Sequence, residues 1–125
     1  MQVMSSIHAP ISIGELLDKI SILFIKYHHT DSDYVSKELD DLIKIAKENN
    51  VYDSEYILDL FKINSKLWKI EDKLRILDKS QSFDQEFIEF AKSVYKTNDQ
   101  RASIKKIINE KYQSLYREIK CYKKN

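Results

Sequence analysis

The stretch Ile11-Ser12-Ile13-Gly14-Glu15-Leu16-Leu17-Asp18-Lys19-Ile20-Ser21-Ile22-Leu23-Phe24-Ile25-Lys26-Tyr27-His28 carries the period that decides the fold. At about 100° per residue, Ile13, Leu16, Leu17, Ile20, Phe24 and Tyr27 fall on one stripe, the mark of an amphipathic helix. Ser12 and Glu15 stand at capping-box spacing, with Ile11 and Leu16 placed as a hydrophobic staple, so the helix is predicted to start at Ile13 and run to about His28. Glu15, Asp18, Lys19 and Lys26 are predicted to point away from the core. Ile22 and Ile25 share that outer side, which a helix covered on one face would not use, so they are candidate interface residues.

The same pattern continues outward. After a polar turn at His29-Thr30-Asp31-Ser32, Asp31 or Ser32 can cap a second helix with Val35, Leu39, Leu42, Ile43 and Ala46 on its apolar face; Asn49-Asn50 ends it. Asp53 or Ser54 caps a third helix carrying Ile57, Leu60, Phe61, Leu67, Trp68 and Leu74 inward, with a turn at Lys79 to Ser82. From a Ser82–Gln85 capping box, Phe83, Phe87, Phe90, Val94, Ile108, Tyr112, Leu115 and Ile119 hold one stripe over nearly forty residues. One long helix is the simpler reading, with a second capping box at Thr97–Gln100 that would break it near Asn98. The expected fold is all-α: a single domain over residues 1–125, an up-and-down bundle of four helices, with residues 1–11 an arm and 120–125 a frayed basic tail. The excess length of the last helix favours a homodimer.

Composition agrees with a small, water-soluble helical domain. The 125 residues are 42% hydrophobic and 33% charged, too apolar for disorder and too charged for a membrane span. The single glycine and single proline, Gly14 and Pro10, leave residues 15–125 without the strongest breakers of regular structure. Lone Cys121 permits no disulfide within one protomer and fits a reducing compartment, and the absence of a secretory signal reads as cytoplasmic. The net charge of +1 conceals segregation: residues 31–60 hold nine Asp/Glu against three Lys, and residues 101–125 eight Lys/Arg against two Glu. An acidic and a basic helix can pair within one bundle, or the basic end can face a phosphate-bearing partner or a lipid surface; nucleic acid ranks last among partners.

Polar residues interrupt the apolar stripes: Asn64 and Glu71 in the third helix, and Asn98, Arg101 and Lys105 in the fourth. A buried charge costs several kcal/mol unless paired, so each needs a partner. In a hairpin turning near residue 80, Asn64 comes level with Asn98 and close to Arg101; Glu71 falls opposite Phe90 and finds its mate in Arg75 at i+4. Two readings stay open. One is a hydrogen-bonded layer that fixes register; the other is an inter-helix anion pocket in which Arg101 and Lys105 hold a small anionic ligand. Trp68 needs an acceptor for its indole N–H, with Glu71 nearby. Adjacent His28 and His29 diverge, no glutamate precedes a histidine by three and there is no HExxH, so no metal site is expected. With a single glycine no phosphate-cradling loop forms; no cofactor and no catalytic residue is assigned, and the chain reads as a non-catalytic binding or adaptor protein, the alternative being a small helical enzyme or ligand-binding bundle in which Arg101 and Lys105 hold an anionic substrate and Glu71 is the candidate acid or base.

Three stretches together carry a resemblance: residues 11–20 as quoted; Asn64 with Leu67-Trp68-Lys69-Ile70-Glu71-Asp72 and Arg75; and Phe87-Ile88-Glu89-Phe90-Ala91-Lys92-Ser93-Val94-Tyr95-Lys96-Thr97-Asn98-Asp99-Gln100-Arg101-Ala102-Ser103-Ile104-Lys105. The chain resembles a set of short bacterial and phage proteins known only as a domain of unknown function. That resemblance implies a setting in surface-polysaccharide synthesis beside glycosyltransferases, and no activity. Its recurrent polar positions stand here as Glu15, Asp18, Lys19, Asn64, Trp68, Glu71, Asp72, Arg75, Asn98, Asp99, Arg101 and Lys105.

Overall fold

The computed structural model describes residues 6–121, which form four α-helices and no strand. These are α1 (Ile13–His29), α2 (Asp33–Glu48), α3 (Ser54–Lys79) and α4 (Gln85–Lys111), packed as a bundle. Residues 1–5 and the tail residues Tyr122, Lys123, Lys124 and Asn125 lie outside the described residues. Each helix opens on an oxygen-bearing cap: Ser12, Ser32, Asp53 and Asp84 accept the backbone N–H of Glu15, Tyr34, Tyr56 and Glu86 respectively, satisfying donors that the first turn leaves free. The expected start of α4 at a Ser82 cap moves two residues on, because Asp84 takes both the Glu86 and Phe87 N–H groups.

The C-terminal ends share one device. Asn50, Gln81 and Gln113 adopt φ of 56°, 54° and 50°, and the following residue closes back on the helix: Val51 N–H to Ala46 O at 2.9 Å, Ser82 to Leu77 at 2.8 Å, Ser114 to Asn109 at 2.8 Å. These are left-handed helix stops of the kind glycine ordinarily supplies.

α1 is the hub. It packs against all three other helices, whereas α2 packs against α1 alone. Leu16, Leu17, Ile20 and Leu23 of α1 join Leu39 and Ala46 of α2, Val51, Ile57 and Leu60 at the start of α3, and Ile108 of α4 in one core. Enclosure on several sides overturns the one-faced reading of α1. Asp18, placed outward by the period, is fully buried; Ile25 is 4% exposed and Ile22 half-buried, so this chain itself covers most of the surface expected to meet a partner.

α4 runs unbroken past Asn98, and Thr97, the candidate cap, is buried mid-helix. It stops at Lys111 rather than continuing to Ile119, leaving Leu115 and Ile119 exposed. At 1.5 Å per residue α3 and α4 span ~40 Å against ~25 Å for α1 and α2, so their connected ends project beyond the core as a two-helix hairpin.

Because a side chain in the left-handed region costs about 1–2 kcal/mol that glycine avoids, while glycine adds entropy to the unfolded chain, Gln81→Gly and Gln113→Gly should each stabilise by roughly 0.5–1 kcal/mol. Urea unfolding of the two variants measures this; a loss of stability in both would rule out strain at the helix stops.

Candidate functional site

The N-terminal half of α1 and the C-terminal half of α4 run antiparallel, and a ladder of polar contacts joins them. Asp18, in a fully buried position, accepts from Arg101 Nε at 3.0 Å and, through its second oxygen, from an Arg101 terminal nitrogen, a two-pronged pairing that matches fork to carboxylate. Asn64 of α3 donates to the same carboxylate at 2.9 Å and to Ser21 Oγ at 2.9 Å, while Ser21 Oγ donates to the Asp18 carbonyl at 2.7 Å. Three helices therefore meet on one carboxylate. The hydrogen bond from Arg101 to Asp18 holds the guanidinium pKa above its ordinary value, against the opposing effect of burial.

One turn along, Lys105 inserts its ammonium between Glu15 Oε2 at 2.8 Å and Glu118 Oε2 at 3.1 Å, with its side chain only 9% exposed. Burial alone pushes this lysine pKa down; the bonds to Glu15 and Glu118 outweigh it and the net direction is up. The bond from Lys105 in turn lowers the Glu118 pKa. A straight helix would carry residue 118 ~20 Å beyond residue 105; the stop at Gln113 returns it to contact.

The ladder ends at Gly14. Its N–H donates to Asn109 Oδ1 at 2.7 Å, and the Ile13 N–H donates to Ser114 Oγ at 3.0 Å, so side chains from the end of α4 finish the cap of α1. A Cβ on Gly14 would lie 2.8 Å from the Lys105 carbonyl oxygen, which is backbone and cannot move aside. A glycine in the first turn of this helix is thus required by close approach, not by a turn.

Asp53 makes a second junction, capping α3 while accepting from Tyr112 Oη at 2.6 Å and Lys111 Nζ at 3.1 Å. Burial pushes its pKa up, but the hydrogen bonds from Tyr112, Lys111 and the Tyr56 N–H prevail and hold it below the ordinary carboxylate range.

Of the candidate residues, Asn64, Arg101 and Lys105 come together, through α1 carboxylates that the period had turned outward. Asn98 is half-buried and bonds to neither Asn64 nor Arg101. Glu71 and Arg75 are exposed and meet at 3.8 Å, Arg75 also donating to Asp72 Oδ1 at 3.3 Å, all on the surface of α3 and away from the cluster. Trp68 stacks on His29 with ring centroids 4.9 Å apart and planes within 6°, rather than meeting Glu71. The helical period turned Glu15 and Asp18 outward, although the resemblance places both among its recurrent polar positions, and sequence reasoning missed Asn109, Ser114 and Glu118. Gly14 was the available signal for the first turn, since a lone glycine inside a helix marks a backbone approached closely.

Among the described residues every buried side-chain nitrogen or oxygen has a hydrogen-bond partner, and no three His, Cys, Asp or Glu side chains gather as metal ligands. The sequence profile of a family of unknown function, DUF6165, matches residues 7–125. The chain belongs to DUF6165. No curated protein and no solved structure matches it. In this DUF6165 member both cations on the inner face of α4 have carboxylates from the same chain.

Removing one partner of a buried pair strands the other, so Asp18→Leu should destabilise by ~3 kcal/mol, while Asp18→Leu with Arg101→Met should recover a large part of the loss. Equal loss in single and double variants, measured by urea unfolding, would mean that the pair is not coupled. For pH the sign follows from the lowered Asp53 and Glu118 pKa values: their stabilisation is present above the unfolded carboxylate value and is lost as pH falls through the folded one. Stability should therefore decline below about pH 4, and less steeply in Asp53→Asn; an identical acid slope in that variant would count against the junction.

Proposed function

We propose that the protein is a non-catalytic binding or adaptor module of the cytoplasm, serving cell-surface polysaccharide synthesis by contacting a protein partner or a second copy of itself through the exposed side of α4. The reading is supported first by the closure of the central network. Arg101 and Lys105, the residues best suited to hold an anionic substrate, already meet Asp18, Glu15 and Glu118. A ligand there would have to displace a carboxylate the chain supplies at no translational cost.

The carrying observation is a strip on α4 at helical spacing: Ile88, Ala91, Tyr95, Asn98 and Ala102. Ile88 and Tyr95 are 43% and 58% exposed, and Ala91 lies open between them. Residues at i, i+3, i+7, i+10 and i+14 form the seam by which one helix meets another. The N-terminal part of this strip lies on the projecting hairpin, within reach of a partner. The polysaccharide setting comes from the resemblance described above, and the choice of partner class from the strip.

A photo-crosslinking residue at position 88 or 95, introduced in native cells, should give one discrete adduct, with a partner or with the chain itself. Ile88→Asp with Tyr95→Asp should weaken that complex at least ~tenfold at unchanged melting temperature, as loss of two apolar anchors implies. No adduct from either position would overturn the reading. A thermal shift with nucleotide sugars or sugar phosphates that disappears in Arg101→Ala would favour the ligand pocket instead.

A further inference from the structure

A different surface, sharing no residue with the α4 strip, combines a row of lysines with an apolar groove. On α3, Lys62, Lys66, Lys69 and Lys73 recur at i, i+4, i+7 and i+11, within about 60° of one another on the helix. They edge a groove of about 560 Å³ whose apolar lining is Phe61, Ile70 and Phe90, the last from α4. Lys73 meets Glu86 at 3.3 Å; Lys62, Lys66 and Lys69 form no ion pair among the described residues. Four cations over ~16 Å of one helix repel one another unless something negative covers them.

Aliphatic side chains flank the row. Leu58 and Ile76 lie on the same side of α3 as Lys69, ~27 Å apart, and are 51% and 59% exposed. The acidic residues Glu55 and Asp59 end this stripe at the N-terminal side, and the acidic helix α2, with five Asp/Glu, packs against α1 alone, away from the groove. This face of α3 is thus a basic stripe with exposed aliphatic residues at both ends. Lysines between exposed Leu and Ile match a surface that offers phosphates in a plane with hydrocarbon beneath. A nucleic-acid site would call for open aromatic platforms, and both phenylalanines here are half-buried.

We propose that this side of the α3–α4 hairpin docks on an anionic lipid surface, the lysines meeting headgroup phosphates while Leu58 and Ile76 enter the acyl boundary. The test is sedimentation of the full chain with phosphatidylcholine vesicles and with vesicles that also contain phosphatidylglycerol. Wild type should pellet with the second kind only, and less as salt rises. At about 1 kcal/mol per lysine, Lys62→Gln with Lys66→Gln and Lys69→Gln should weaken binding on the order of a hundredfold, at unchanged melting temperature because the three side chains are exposed. Leu58→Ser with Ile76→Ser should weaken binding while leaving its salt dependence intact. No binding by wild type, or equal binding by the lysine variant, would overturn the proposal. Tighter binding to a single-stranded RNA, or complete release from vesicles by inorganic pyrophosphate at matched ionic strength, would replace it with a polyphosphate site. Failure of the α4 crosslinks would leave this result untouched, since the two surfaces share no residue.

Discussion

A carboxylate with no exposure to water sets the terms for this fold. Asp18 sits on the helix that the other three surround, and its charge is tolerable only because Arg101 and Asn64 reach it from two other helices. Those bonds exist in one register. Sliding α4 by a turn would separate Asp18 from Arg101 and Glu15 from Lys105, and would press a side chain against Gly14 in place of the fitted Asn109. Hydrophobic burial supplies the driving force for assembly, but Leu, Ile and Val surfaces tolerate several alignments. The polar ladder selects among them.

That selection bears on function. Inward-facing arginine and lysine are the usual reason to suspect a pocket for an acidic metabolite, and here they hold the helices together. The proposed recognition surfaces lie outside: an apolar strip on α4 and a lysine-edged groove on α3, both reaching onto the part of the hairpin that α1 and α2 do not cover. A shape of this kind separates tasks, with the core holding the arm and the arm presenting its sides.

The fold was legible in the sequence to a considerable depth, since four helices, three of their four caps and the closures at Asn49-Asn50 and near Ser80 follow from period and turn chemistry. The site was legible in half. The need of Arg101, Lys105 and Asn64 for partners is visible because they interrupt an apolar stripe; the identity of those partners is not, because a period identifies one buried face and α1 is buried on several. Asp18 and Ile25 were misplaced for that reason. The C-terminal stop escaped for another: Tyr112, Leu115 and Ile119 continue a helical stripe, while the instruction to turn resides in a glutamine at a position where glycine would have announced it. Glu118, which depends on that turn, could not be seen to reach Lys105.

The attachment of α2 to a single neighbour gives the molecule an uneven architecture. Neither Asp18 with its partners nor the bond from the Gly14 N–H to Asn109 involves any atom of this second helix. Were it to lift away, the core would lose Leu39 and Ala46, yet the three-helix frame would keep its alignment. The acidic helix is therefore the layer that opens at least expense, and amide protons there should be the first in the core to find solvent.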